Sequence, residues 1–199
     1  MEGVVNDRSR WAAVWLRFRS GDRDAFSEIY EEFADVLFAY GSKITHDREL
    51  LKDCIHDLFC NLHYYQINLQ HPEYLEFYLF RSLKNGIVRK IKNNLHEASL
   101  TNEGMFQFDL KFHVEQDLYD LESEELRIQR LRKIIKTIDP QKRELLFLKF
   151  STSLNYSEIG ELVGMNPDAV KKQIYRILDS LREKYGKQLL ELFMITIRS

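Results

Sequence analysis

Residues 156–183 read YSEIGELVGMNPDAVKKQIYRILDSLRE, and the punctuation of this run decides how its end of the chain folds. Asn155 stands before it and Glu158 three positions later, the spacing of a capping box, which predicts a short helix over 156–163. Gly164 can take the left-handed conformation that ends a helix and redirects the chain. Asn166-Pro167 then opens a second helix running to about Tyr185. Two capped helices joined by a few residues have the layout of a helix-turn-helix. Gly160 leaves room for the helices to cross, and Met165 plugs the corner. Ile159, Val163, Val170, Ile174, Ile177 and Leu181 are the expected buried side. A different face carries Asp168, Ala169, Lys172, Gln173 and Arg176, with Lys171 on the flank. Such a helix suits a major groove, where base edges are distinguishable: its cations neutralise phosphates or reach guanine, and Gln173 can pair with adenine. A plain helical hairpin used for packing would share the same caps.

Upstream, a helix beginning near Ser123 is expected to bury Leu126, Leu131, Ile134, Ile135 and Ile138. Asp139-Pro140 restarts the chain as an N-cap followed by a first-turn proline, and the next helix carries Leu145, Leu146 and Leu148. Residues 94–122 lose helical periodicity and turn acidic. That predicts a linker, partly extended around Met105 to Val114, between domains at 1–93 and 123–199.

The first 93 residues are periodic throughout. A short helix over 9–20 places Trp11, Trp15 and Phe18 on one side. A helix over 24–41 has its apolar stripe at Phe26, Ile29, Tyr30, Phe33, Val36, Leu37 and Tyr40. A third, 47–64, buries Leu51, Cys54, Ile55, Leu58 and Leu62. Pro72 opens a fourth, 72–92, with Leu75, Leu79, Leu83, Ile87 and Ile91 on its stripe and most of its cations off it. With 8 Gly, 3 Pro and few alternating runs, the expected class is all-α: two small helical domains joined by an acidic linker.

The net charge of -2 does not announce a polyanion binder, but the charge is segregated. Phe77 to Leu95 holds five cations and no acid, whereas Glu97 to Glu125 holds nine acids against Lys111 alone. A basic working surface beside an acidic connector follows, with ordinary solvated helix faces as the plainer alternative. Cys54 and Cys60, six apart, form neither a CxxC pair nor a disulfide framework. The first 20 residues lack an apolar signal core, and the apolar run Leu189 to Ile197 is too short to span a bilayer, so a cytoplasmic location is expected. Hydrolase elbows and phosphate loops are absent from the sequence. Asp53, His56, Cys60 and His63 follow intervals of three, four and three along one helix, which keeps a helical metal protein open as an alternative.

In the order of its parts the chain resembles a bacterial extracytoplasmic-function (ECF) sigma factor of the sigma-70 class. Asp139 to Glu183 looks like the domain that reads the upstream (-35) promoter element. WLRFRSGDRDAFSEIYEEF (15–33) is similar to the opening helices of the N-terminal domain. LLKDCIHDLFCNLHYY (50–65) resembles the segment that docks on core RNA polymerase, and FYLFRSLKNGIVRKIKN (77–93) the segment that captures the melted -10 element. The resemblance implies that Asp53, His56, Asp57 and Phe59 contribute to polymerase docking. It implies that Arg81, Lys84, Asn85, Arg89 and Lys90 face promoter DNA, with Tyr78 and Phe80 near enough to wedge or stack. Members often carry Gln at the place of His56 and an acid at that of Arg89. Also implied are the absence of catalytic residues, cofactor, metal and small-molecule substrate, and an anti-sigma partner, often membrane-anchored. A helix-turn-helix regulator without sigma activity would explain the C-terminal half but not the order of segments before it.

Overall fold

The computed structural model describes residues 3–64, 74–98, 108 and 133–186. Those residues form an all-α protein that divides into two compact units, Met1–Met105 and Phe106–Ser199.

The first unit contains α1 (Gly3–Arg19), α2 (Arg23–Ile44), α3 (Arg48–Tyr64) and α4 (Leu75–Ala98). The turn into α2 is fixed by Asp22, whose carboxylate accepts from the N–H groups of Asp24 and Ala25 while Arg17 binds it at 2.8 Å. That guanidinium holds the Asp22 carboxyl below the ordinary range. The link is therefore intact at neutral pH and is lost only as acid titrates the carboxylate below its unfolded value. Asp47 accepts in the same way from Glu49 and Leu50 at the start of α3. The expected stripes of α1 and α3 are buried in full, and α4 buries Leu75, Leu79, Leu83 and Ile87.

Several apolar residues depart from expectation. Phe80 has no exposed surface and packs on Tyr40, their ring centroids 5.0 Å apart, so it belongs to the core and cannot stack on a base. Tyr30 is 48% exposed, and Phe26, Val36 and Ile91 are only half-buried. A stripe seven residues wide on α2 is broader than the helices packed against it can cover. α4 continues to Ala98, past the expected end of the bundle at Asn93. Pro72 lies outside the described residues, as do 99–107 and 109–122 of the expected linker.

In the second unit a helical turn at 133–136 leads to α5 (Pro140–Ser151), α6 (Tyr156–Val163) and α7 (Pro167–Tyr185). Asp139 caps α5 through the N–H of Gln141, with Pro140 in the first turn. Asn155 accepts from Ser157 at 2.8 Å and Glu158 at 2.9 Å, and the Glu158 carboxylate accepts from the Asn155 N–H at 2.7 Å. Gly164 sits at φ 72, ψ 36, and Asn166 caps α7. The Met165 N–H donates to the Gly160 carbonyl at 2.7 Å, so Met165 serves the corner through its backbone while its side chain is only half-buried. The core takes Ile159, Val170, Ile174, Ile177 and Leu181 as expected, but Leu162 in place of half-buried Val163. Phe108, expected in the linker, is fully buried against Phe147 with centroids 5.9 Å apart. The helix expected over Leu126 and Leu131, and the apolar run from Leu189, lie outside the described residues.

A Cβ added at Gly160 would stand 2.5 Å from the Met165 carbonyl oxygen, a backbone atom that cannot rotate away. Gly160→Ala should therefore cost about 1–3 kcal/mol, the usual range for overpacking. Hydrogen exchange in the full chain reads this as faster exchange confined to the α6 and α7 amides. Unchanged protection there would show that the corner tolerates the extra carbon.

Candidate nucleic-acid and partner interfaces

On α7 the buried stripe Val170, Ile174, Ile177, Leu181 leaves the opposite face to solvent. Asp168, Lys171, Lys172 and Arg176 are exposed, whereas Ala169 and Gln173 are half-buried toward the side of the stripe. Asn166 caps the helix and presents these residues from its first turn onward. Asp179 accepts from Arg182 at 2.5 Å, which partly neutralises the cationic surface at the far end of the face. The spacing thus brought together an exposed set of cations on one helix. It missed Tyr175, which is 53% exposed on the same helix. An aromatic one residue after a core isoleucine gives no signal of exposure until the packing of α6 is known.

The first unit offers two concave surfaces. One is a groove of about 960 Å³ between α2 and α3, with Phe26, Tyr30 and Phe59 along it and Asp35, Lys52 and His56 at its edges. Phe59 itself is 4% exposed and packs on Tyr30 at 4.8 Å, so it shapes the groove rather than projecting from α3. The other is a cleft of about 480 Å³ between α3 and α4, where Asp57 and Asn61 meet Tyr78, Asn85, Arg89 and Lys90.

Of the four residues associated with polymerase docking, Asp53, His56 and Asp57 are exposed at the i, i+3, i+4 spacing of one face of α3, whereas Phe59 is buried. His56 and Phe59 line the groove, Asp57 lines the cleft, and Asp53 is exposed on α3 outside both. Among the five associated with the -10 element, Asn85, Arg89 and Lys90 meet in the cleft. Arg81 and Lys84 lie outside it, Arg81 exposed with its guanidinium 5.8 Å from the Phe77 ring centre.

Lys90 and Asp57, expected to serve different partners, bind each other at 2.9 Å. This contact raises the Lys90 pKa, the hydrogen bond to Asp57 being the largest cause. A raised lysine contributes stability fully below its unfolded value and loses it only as alkali titrates the folded group. The contact is thus constant across neutral pH. Beneath it, burial pushes the Cys54 thiol up, with Lys90 opposing, which keeps that sulfur protonated. Cys60 lies 3.4 Å from His56 Nε2, but among the described residues no group of three or more His, Cys, Asp and Glu side chains is placed to hold a metal. The interval of three, four and three on α3 brings His56 and Cys60 together as a couple. Among the described residues, no helix is long and apolar enough to cross a membrane.

Both members of the Asp57–Lys90 contact keep substantial solvent access. A double-mutant cycle with Asp57→Asn and Lys90→Ala should give a coupling below about 1 kcal/mol, as for other exposed ion pairs. A coupling several times larger would make the contact a structural support of the α3–α4 packing.

No family model matches the chain. It is similar to the ECF RNA polymerase sigma factor BldN of Streptomyces coelicolor, at 22% identity over 178 residues. That match covers 88% of this chain and 66% of the relative, so the chain spans just under two thirds of the curated protein's length.

Proposed function

On the support that this relative gives to the ECF RNA polymerase sigma factor family, we propose that the chain is an alternative sigma factor. It binds core RNA polymerase and directs it to promoters of particular sequence, with no catalytic step of its own. The observation that carries this reading is the extent of the similarity, 88% of the chain, which takes in both compact units rather than the helix-turn-helix alone. A regulator that merely binds operators would require only the second.

The first unit, residues 1–93 with the end of α4, then holds core polymerase and the -10 element. Residues 94–122 connect it to a -35-reading unit over 123–199, into which Phe108 is drawn. α6 and α7 are the helix-turn-helix, and α7 enters the major groove through Asp168, Lys172 and Arg176, with Lys171 flanking. Ala169 and Gln173, half-buried, reach only bases near the edge of that helix. The α3–α4 cleft offers Asn85, Arg89 and Lys90 to the melted strand, where cations track the backbone. Polymerase docks on α3 through Asp53 and His56. An anti-sigma protein, of the kind often membrane-anchored in members of that family, completes the expected partners, and the site of action is the cytoplasm.

Pull-down of core RNA polymerase by the tagged full chain tests the first half of this reading. Asp53→Arg should weaken that association by roughly tenfold or more, because a like-charge juxtaposition across an interface costs on the order of several kcal/mol. Asp53 is a cleaner probe than Asp57, whose replacement also breaks the contact with Lys90. Equal capture of core by variant and parent would remove α3 from the interface.

Promoter binding across a salt series and a set of single-base variants tests the second half. Lys172→Ala should relax preference at one position and cost roughly 1–3 kcal/mol, since residues near the start of a recognition helix reach bases. Arg176→Ala should lower affinity for all sequences alike and reduce the salt slope by about one. If neither changes affinity, slope or preference, α7 is not the reader.

A further inference from the structure

Three side chains from three helices meet on one flank of α7. Lys149, near the end of α5, holds its ammonium 4.8 Å from the centre of the Tyr156 ring. Tyr156 is the first residue of α6 and is half-buried. Burial, and then the phenol of Tyr175 beside it, hold its own phenol above the ordinary tyrosine range, so the Tyr156 hydroxyl keeps its proton at neutral pH. Tyr175, midway along α7, is 53% exposed, and among the described residues it is the only large apolar side chain of the second unit that is exposed.

Helix geometry places it relative to the cations. At 3.6 residues per turn, Tyr175 lies about 40° round α7 from Lys171 and about 60° from Lys172, between the two and one turn further on. A helix in a major groove turns its outer face to base edges and its flanks to the backbones that wall the groove. The flank on which Tyr175 stands is the one occupied by Tyr156 and Lys149. A phenol oxygen can accept one hydrogen bond while donating another. Tyr156 can therefore donate to Tyr175 while the Tyr175 hydroxyl remains free to donate outward. Lys149 gains by lying on an aromatic face and keeps its N–H donors.

We propose that Tyr175, positioned by Tyr156, is a further DNA-contacting residue that donates its hydroxyl to a phosphate on the wall of the groove, with Lys149 as the companion cation. This rests on the reading of α7 as the DNA-reading helix and adds to it a backbone contact made by an uncharged side chain set between the cations. Tyrosine hydroxyls and lysine ammonium groups are both ordinary donors to phosphate oxygens. The arrangement also accounts for an exposed aromatic on a helix whose other apolar residues are covered. Tyr156 is the positioning residue, since its action passes through Tyr175.

The test is fluorescence anisotropy of the full chain with a labelled random-sequence duplex over a salt series, which reads backbone contacts without knowledge of the promoter. Tyr175→Phe should lower affinity about twofold to tenfold, the loss of one hydrogen bond, with the salt slope unchanged because a phenol carries no charge. Tyr156→Phe should lower affinity by less, and should add nothing in the Tyr175→Phe background. Lys149→Ala should lower affinity and reduce the salt slope by about one. If Arg176→Ala weakens binding while Tyr175→Phe binds as the parent does, the inference falls and the reading of α7 stands. A Tyr156→Phe loss that persists undiminished in the Tyr175→Phe background overturns the positioning role. If Arg176→Ala, Lys172→Ala and Tyr175→Phe all bind as the parent does, or the chain binds no duplex, both the reading and the inference fall.

Discussion

At Gly160 there is room for a hydrogen and no more, because the carbonyl of Met165 stands 2.5 Å from where a Cβ would be. That close approach is locked by the Met165 N–H donating to the Gly160 carbonyl and by Gly164 turning the chain through the left-handed region. Once the corner is fixed, the start of α7 is fixed, and its 3.6-residue repeat determines which side chains face the core. Val170, Ile174, Ile177 and Leu181 turn inward together; Asp168, Lys172 and Arg176 then have no other place than solvent. The cationic face is thus a consequence of the backbone packing between Gly160 and Met165, just upstream of it. The flank bearing Tyr156 and Tyr175 has the same origin, since the first turn of α6 is carried to the side of α7 by that same corner.

The first unit works by a different constraint. Four helices share one apolar interior, but α2 carries more aromatic surface than its neighbours can cover, and the surplus becomes the groove beside α3. On the other side of α3, polar residues replace aromatics, and the cleft toward α4 gathers acid, amide and cations. One helix therefore borders two unlike concave surfaces. The Asp57–Lys90 contact spans the cleft from α3 to α4 and keeps solvent access on both sides.

Caps and stripes were legible in the sequence because they depend on local chemistry. Asp139-Pro140, the box of Asn155 with Glu158, and Asn166-Pro167 each name a helix start without reference to anything distant. The cationic face of α7 followed from the same periodicity. What was not legible depends on what lies across the core. Phe80 and Tyr78 are two residues apart on α4, yet only the position of Tyr40 decides that Phe80 is interior while Tyr78 borders the cleft. Phe108 sits in a segment without period, and its burial follows from an opening beside Phe147 that no local rule describes. Family likeness marks Phe59 as a contact residue, but it packs inward on the rings of Phe26 and Tyr30. The pairing of Tyr175 with Tyr156 has no local signal either, the two being nineteen residues apart in sequence.

Transcription in vitro bears most directly on the central claim. Purified full chain and core RNA polymerase from the same organism, given pooled genomic fragments, should produce discrete transcripts that require the chain and begin at sites sharing a common pair of upstream elements. Duplex-DNA binding by the chain with no association with core polymerase and no chain-dependent transcript would contradict a sigma factor and leave a DNA-binding regulator in its place.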